Sequence, residues 1–187
     1  MNPTIEMILG RRAVRAYEAK PIPRDVMEEI IRAGNAAPSG CNAQAWRFVA
    51  VEDAESRERL AALALPRYKK WMAGASDGLK EMREEIDSVV KDPVYYSAPS
   101  IVFVIGSGMT ADLDSPMVCQ NMMLAARSLG VGSCWVYFGQ LVLDDKDVRA
   151  ALELREDEKV YGPILFGYPK DGFPDSPPKK EATVKWI

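Results

Sequence analysis

The sequence predicts one domain that mixes helices and strands without strict alternation, and three observations carry that reading. A chain of 187 residues with 48% apolar composition can bury one substantial core. Apolar positions switch along the chain between helical spacing and short β-branched runs. The resulting order of segments mixes helices and strands without strict alternation.

The elements follow in order. Residues 2–9 suit a short helix, with Pro3 tolerated in its first turn and Gly10 placed to end it. The basic run RRAVRAY comes next. From Arg24 to Ala33 the positions Val26, Met27, Ile30 and Ile31 recur at helical spacing, and Gly34-Asn35 supplies a stop. Residues 36–46, AAPSGCNAQAW, form a loop. A strand is expected over Arg47–Val51, after which Asp53 caps a helix to about Leu65. The charged stretch 66–91 is helical by pattern but interrupted around Gly74 and Gly78, which suits an excursion or lid.

Ile101–Ile105 has the composition of a buried strand, and Ser115-Pro116 opens an apolar helix that ends near Gly130. Ser133–Phe138 is expected as strand, Asp144–Leu152 as a short helix and Val160–Gly167 as strand. The tail, 169–187, contains five prolines or glycines yet finishes on Trp186-Ile187. It suits wrapping around a partner subunit, or docking as an ordinary terminus.

Composition excludes several function classes. A formal charge of −3 with both signs interspersed offers no basic field for nucleic acid or an anionic membrane. No stretch is long enough to span a bilayer, and the N-terminus lacks the pattern of a secretory signal. Cys41, Cys119 and Cys134 form no C-x-x-C pair, so a reducing, cytoplasmic setting is expected. The chain has no histidine, which removes Ser-His-Asp and Cys-His catalysis and the commonest transition-metal ligand. No metal is expected, and the hard chemistry of an enzyme built this way belongs to a cofactor.

Three constellations are equipped for such a group. Arg11, Arg12 and Arg15 can neutralise a phosphate bidentately and leave one guanidinium for a second electron-rich group. Pro38-Ser39-Gly40-Cys41-Asn42-Ala43-Gln44-Ala45-Trp46 crowds hydroxyl and amide groups into a loop that ends on an aromatic residue and a strand, able to bond the edge of a flat heterocycle. The glycine-flanked run from Gly130 to Gly139 lets backbone N–H groups approach a ligand while Trp135, Tyr137 and Phe138 pack beside it. Taken singly, each also fits a solvated basic turn, an ordinary polar loop and a core strand.

A fourth motif competes. Gly106-Ser107-Gly108-Met109-Thr110-Ala111 spells the dinucleotide fingerprint G-x-G-x-x-A after an apolar strand. The fingerprint needs a helix beginning inside it, whereas the helix signal is Ser115-Pro116, several residues later. A nicotinamide-binding domain built on Gly106 and Gly108 is the reading that remains if the other motifs are set aside.

In series, RRAVRAYEAKPIP, AAPSGCNAQAWRFVAV, LAARSLGVGSCWVYF and LFGYP with its basic tail resemble the nitroreductase superfamily over nearly the whole length. The resemblance implies an α+β fold, with helices around a mainly antiparallel sheet, in a homodimer whose interlocked subunits hold FMN between them. It implies that Arg11, Arg12, Ala13 and Arg15 meet the FMN phosphate and pyrimidine edge. It further implies that Pro38, Ser39, Gly40, Asn42 and Gln44 reach the flavin of the other subunit. Cys134, Trp135, Val136, Tyr137, Phe138 and Gly139 would lie near flavin N5, and Lys179 or Lys180 would complete the phosphate site. Ala13 stands where the family often has a phosphate-binding serine, and Gly40-Cys41 replaces residues that are commonly polar or small.

The activity implied is ping-pong hydride transfer from NADH or NADPH, through FMN, to a small organic acceptor such as a nitroaromatic or quinone. Arg15 is assigned to stabilise negative charge on the reduced flavin, and no side chain is assigned as general acid. Tyr68, Trp71 and Met72 are candidates for the acceptor pocket, or pack the excursion onto the core. Alternatives within the fold are a dehalogenase, an ene-reductase, a flavin-cleaving enzyme or a non-catalytic redox sensor.

Overall fold

A computed structural model describes residues 2–175 and 177–187, without the side chains of Glu85 and Val89. Its elements are α1 (Pro3–Gly10), α2 (Arg24–Asn35), β1 (Trp46–Val51), α3 (Ala54–Ala73), α4 (Asp77–Val89), β2 (Ser100–Ser107), α5 (Ala111–Ser128), β3 (Gly132–Trp135), α6 (Lys146–Ala151) and β4 (Glu158–Gly167). Short 3-10 turns cover Gly40–Asn42 and Phe138–Val142. The strands form one sheet in the order β1-β2-β4-β3, and every neighbouring pair is antiparallel. The architecture is therefore α+β, as the motifs implied.

Both faces of the sheet are covered. Because side chains alternate along a strand, Ile101, Phe103 and Ile105 of β2 join Leu60, Ala64 and Tyr68 of α3 in one core cluster. Val102 and Val104 join Met27 and Ile30 of α2 and Val118, Met122 and Ala126 of α5 in the other. The helices α2 and α5 come very close: a Cβ on Gly34 would stand 2.5 Å from Met122 Cγ. A continuous apolar run such as SIVFVIGS is what a strand covered on both faces needs.

Two expectations about prolines are corrected. The helix opened by Asp53 does not stop near Leu65 but runs through Pro66 to Ala73. The helix expected at Ser115 begins a turn earlier, at Ala111, and carries Pro116 inside it. In both cases a proline read as punctuation is tolerated, because burial of Tyr68 and of Val118 and Met122 outweighs one lost hydrogen bond. Gly78 likewise lies inside α4, while Gly74 caps α3.

The earlier start of α5 removes the stated objection to the G-x-G-x-x-A motif, since its helix does begin at the motif's last residue. The topology supplies a better one. A dinucleotide fold needs adjacent parallel strands around that turn, and β2 has antiparallel neighbours on both sides. The strand expected over Ser133–Phe138 is also shorter than read: it ends at Trp135, and Phe138 begins a 3-10 turn. Among the described residues no helix is long and apolar enough to cross a membrane.

Candidate functional site

The segment after α1 is hung on the sheet edge. Val14 donates its N–H to Ser133 O at 3.0 Å, Ala13 forms a parallel bridge with Ser133, and Glu18 N–H reaches Tyr168 O at 2.9 Å. Val14 is buried and anchors the run. Its neighbours Arg11 and Arg15 are thereby presented beside β3, and among the described residues neither makes an ion pair. Arg12 differs from them: its Nη1 folds back onto Leu9 O and Arg11 O at 2.7 and 2.6 Å, where it serves the carbonyl end of α1.

Cys134 of β3 is buried beneath these arginines. Burial pushes its thiol up, against the opposing pull of Arg15, Arg11 and Arg83. It is consequently a neutral packing residue in an electropositive neighbourhood. Val136 is buried with its N–H on Pro163 O at 3.0 Å, Gly139 O accepts from Tyr95 Oη at 3.1 Å, and Trp135 and Tyr137 are exposed.

Tyr68 and Met72 line one cavity of about 360 Å³ together with Lys69, Asp87 and Pro93, and Trp71 is not part of its lining. Tyr68 is buried, and its hydroxyl donates to Asp87; burial first, then that bond, pushes its pKa up to about 12. Trp71 is exposed and meets the rings of Tyr137 and Phe138 at 6.5 and 5.1 Å, while Met72 is half-buried against the core. The 66–91 stretch thus contributes both packing and an exposed aromatic wall.

Arg83, which the motifs did not single out, ties this wall together. It is 8% exposed and donates to Tyr68 Oη, Tyr96 Oη, Asp87 Oδ1 and Pro93 O at 3.0, 2.8, 3.0 and 2.8 Å. Burial works against its charge, but the bonds to Tyr96 and Tyr68 outweigh it and raise its pKa. Tyr96 also lies under Arg15, whose Cζ is 5.9 Å from the ring centroid. An isolated arginine among Glu and Asp on a helix gives no sequence signal of such a role.

The Ser39–Gln44 loop lies elsewhere on the subunit. Gly40 N–H contacts the carboxylate of Asp114, in the first turn of α5. At the other end of α5, Arg127 Nε donates to Gly10 O at 3.3 Å, next to the arginine run. Arg127 stands thirteen positions along the helix from Asp114, about 20 Å at the usual rise per residue. Within one chain the basic motif and the polar loop are held apart by a rigid rod.

The tail starts at the same end as the arginines. Arg127 Cζ sits 3.6 Å from the centroid of the Phe173 ring. Beyond it the described residues form no helix or strand and are exposed, Lys179 and Lys180 among them. Cavities of about 440 and 400 Å³ lie beside β1, α3 and α6 and beside α3 and Asp92–Ile101, lined by none of the motif residues.

Comparison with known proteins adds the lineage. The Nitroreductase family matches residues 8–168. An NADPH-flavin oxidoreductase of Vibrio harveyi is 32% identical over 184 residues, 98% of this chain and 72% of that protein. A crystal structure of a nitroreductase with bound FMN from Bacteroides fragilis superposes with a TM-score of 0.73 at 37% identity, covering 99% of this chain and 96% of the other. Iodotyrosine deiodinase bound to FMN and 3-iodo-L-tyrosine shares the fold, with a TM-score of 0.83 at 22% identity over 98% of each chain.

Proposed function

This chain belongs to the nitroreductase family, and from that premise we propose that it acts as an FMN-dependent NAD(P)H oxidoreductase, as one domain spanning 1–187, in a homodimer. The carrying observation is the separation of its two polar motifs along α5. Arginines at one end and the Ser39–Gln44 loop at the other serve one flavin only if a second chain brings its loop to the first chain's arginines. Relatives that are named as flavin oxidoreductases or contain FMN support the choice of cofactor.

The residues present fit that group. Arg11 and Arg15 are unmatched cations among the described residues, as an anion site requires. When bound, FMN supplies hydride transfer through N5 between the reduced nicotinamide and a small organic acceptor such as a nitroaromatic or quinone, in ping-pong order. Arg11 and Lys179 or Lys180 hold the phosphate; Ala13 brings no hydroxyl to it, and Arg12 holds the end of α1. Arg15 balances negative charge on the pyrimidine edge, with Tyr96 beneath its guanidinium. Ser39, Asn42 and Gln44 offer hydrogen bonds to the ring from the second chain, beside Pro38 and Gly40. The Cys134–Gly139 segment lines the reactive edge, and Trp71 with Tyr137 bounds the acceptor space. Residues 66–91 form its cover, and the tail from 169 onward wraps the partner.

The test is the visible spectrum of the purified protein before and after anaerobic NADH or NADPH, on a sample sized by light scattering. A two-banded flavin spectrum that bleaches, on a dimer, is expected. A colourless monomer that takes up no added FMN overturns the reading. Arg15→Ala, loaded with flavin, should show a lower midpoint potential and slower reduction; an unchanged potential removes Arg15 from its role.

A further inference from the structure

We propose that Asp114 is a positioning residue for the cofactor loop, holding Ser39–Gln44 in its ligand-ready shape from the first turn of α5. The inference rests on the FMN reading above and concerns a residue outside the motifs that carry that reading.

The loop needs holding. Cys41, Asn42 and Gln44 have φ of 52, 54 and 48°, the left-handed region that ordinary side chains avoid. Its internal bonds, Asn42 N–H to Ser39 O, Ala43 N–H to Gly40 O and Gln44 N–H to Ser39 Oγ, each 3.0 Å, close the loop on itself. Its exit is tied to the domain by Ser107 N–H on Ala45 O at 2.9 Å and by Trp46 Nε1 on Asn35 Oδ1 at 2.9 Å. Near its start, the Gly40 N–H faces both carboxylate oxygens of Asp114 at 3.4 and 3.3 Å.

Asp114 is itself fixed. It is 6% exposed, and Thr110 Oγ1 donates to its Oδ2 at 2.7 Å. Among the described residues no Lys or Arg pairs with it, so its charge rests on these donors and on the N-terminal turn of α5, which favours an anion. Glycine is what lets the loop approach: a Cβ at position 40 would stand 3.0 Å from Thr110 Cγ2 and 3.3 Å from its Oγ1. Asn42 and Gln44 remain exposed on the clamped loop. Fixing their backbone in advance removes an ordering cost from ligand binding.

The experiment measures FMN binding by fluorescence quenching, on full-length wild type, Asp114→Ala, Asp114→Asn and Thr110→Val, with loop amide exchange followed in the same proteins. Asp114→Ala should weaken FMN roughly tenfold or more, as loss of a bond to a charged acceptor implies. Asp114→Asn should recover most of that loss, because its amide oxygen still accepts from Gly40. Thr110→Val should show a smaller loss. Combining Asp114→Ala with Asn42→Ala should cost less than the sum of the two single losses, because Asp114 acts in part through Asn42. Exchange should quicken at residues 40–43 and stay unchanged in β2 and the rest of α5.

Wild-type affinity in Asp114→Ala overturns the proposal, as does equal weakening by Ala and Asn with faster exchange throughout α5. If Asp114→Ala does not fold, Thr110→Val decides: unchanged affinity and unchanged loop exchange overturn it. If the wild type takes up no FMN, the cofactor reading has failed by itself. The clamp is then judged by exchange alone, where unchanged rates at residues 40–43 in Asp114→Ala refute it.

Discussion

The central strands and the two chain ends are built from similar apolar residues and meet opposite fates. In β2 and β4, Ile101–Ile105 and Ile164–Phe166 are essentially inaccessible. In α1, Ile5, Ile8 and Leu9 are all exposed, Leu9 at 57%, and the helix buries no residue at all. In the tail, Trp186 is 90% exposed. Hydrophobicity alone does not decide burial; the strands are covered on both faces by their own chain, whereas α1 and the tail meet it along one side, at α5. An apolar helix and an apolar terminus left in water cost free energy that a second copy would recover. The contrast therefore supports the proposed dimer independently of the motif geometry.

That contrast breaks most visibly in the core. Phe103→Ala should destabilise the protein by about 3–5 kcal/mol, because a fully enclosed ring leaves a cavity that neighbours on both strands cannot fill. Urea unfolding measures it; a loss below about 1 kcal/mol would mean the core is looser than drawn.

Next in size is the ion pair that closes the sheet's flank. Arg47 Nε lies 2.8 Å from Glu158 Oε1, with the Glu158 side chain only 2% exposed. The bond from Arg47 pulls the Glu158 carboxyl from 4.5 down to about 2, against burial. A depressed carboxyl contributes stability that is present above about pH 4.5 and lost as pH falls toward about 2. Arg47→Met should cost about 1.5–3 kcal/mol at neutral pH, the range for bonds to a charged group, because Arg47 is partly exposed and Arg155 still reaches Glu158, with the difference from wild type shrinking across that acid window. A constant difference from pH 7 to 2 would assign the loss to packing instead.

At the chain ends the effect should fall on association rather than folding. Trp186→Ala should weaken the dimer by about 2 kcal/mol if the ring is an interface anchor, read by sedimentation across a dilution series, while the unfolding slope is unchanged. An unaltered dissociation constant would leave the tail outside the interface. Smallest is Asn2→Ala, which removes the cap on α1 made by its side chain accepting Thr4 N–H at 2.9 Å. It should cost about 1 kcal/mol, seen in a thermal scan at low protein concentration; no shift would mean that packing against a partner, rather than its own cap, holds α1.

Much of the fold was legible because its signals are local. The β-branched run at Ile101–Ile105 and the helical spacing of Val26, Met27, Ile30 and Ile31 each became an element within a residue or two. The errors share one cause. Pro66 and Pro116 are ordinary stops when read alone, but α3 and α5 continue past them because the turns on either side are buried against the sheet. The same holds at β3, where pairing with β4 ends at Trp135 although the composition remains strand-like to Phe138.

The candidate site divides in the same way. Arginine clusters, a polar glycine-bearing loop and a glycine-flanked strand are chemistry carried by neighbours in sequence, so the chain alone named them and the family they belong to. The enclosure of Arg83 by Tyr68, Tyr96 and Asp87, the Asp114 tie to Gly40 across 74 positions, and the helix that keeps arginines and loop apart are contacts between residues remote in sequence. The sequence by itself determined which groups are available and the periods at which they recur. Only the tertiary structure decided which of them meet, because closing a distant contact depends on the packing of every element between.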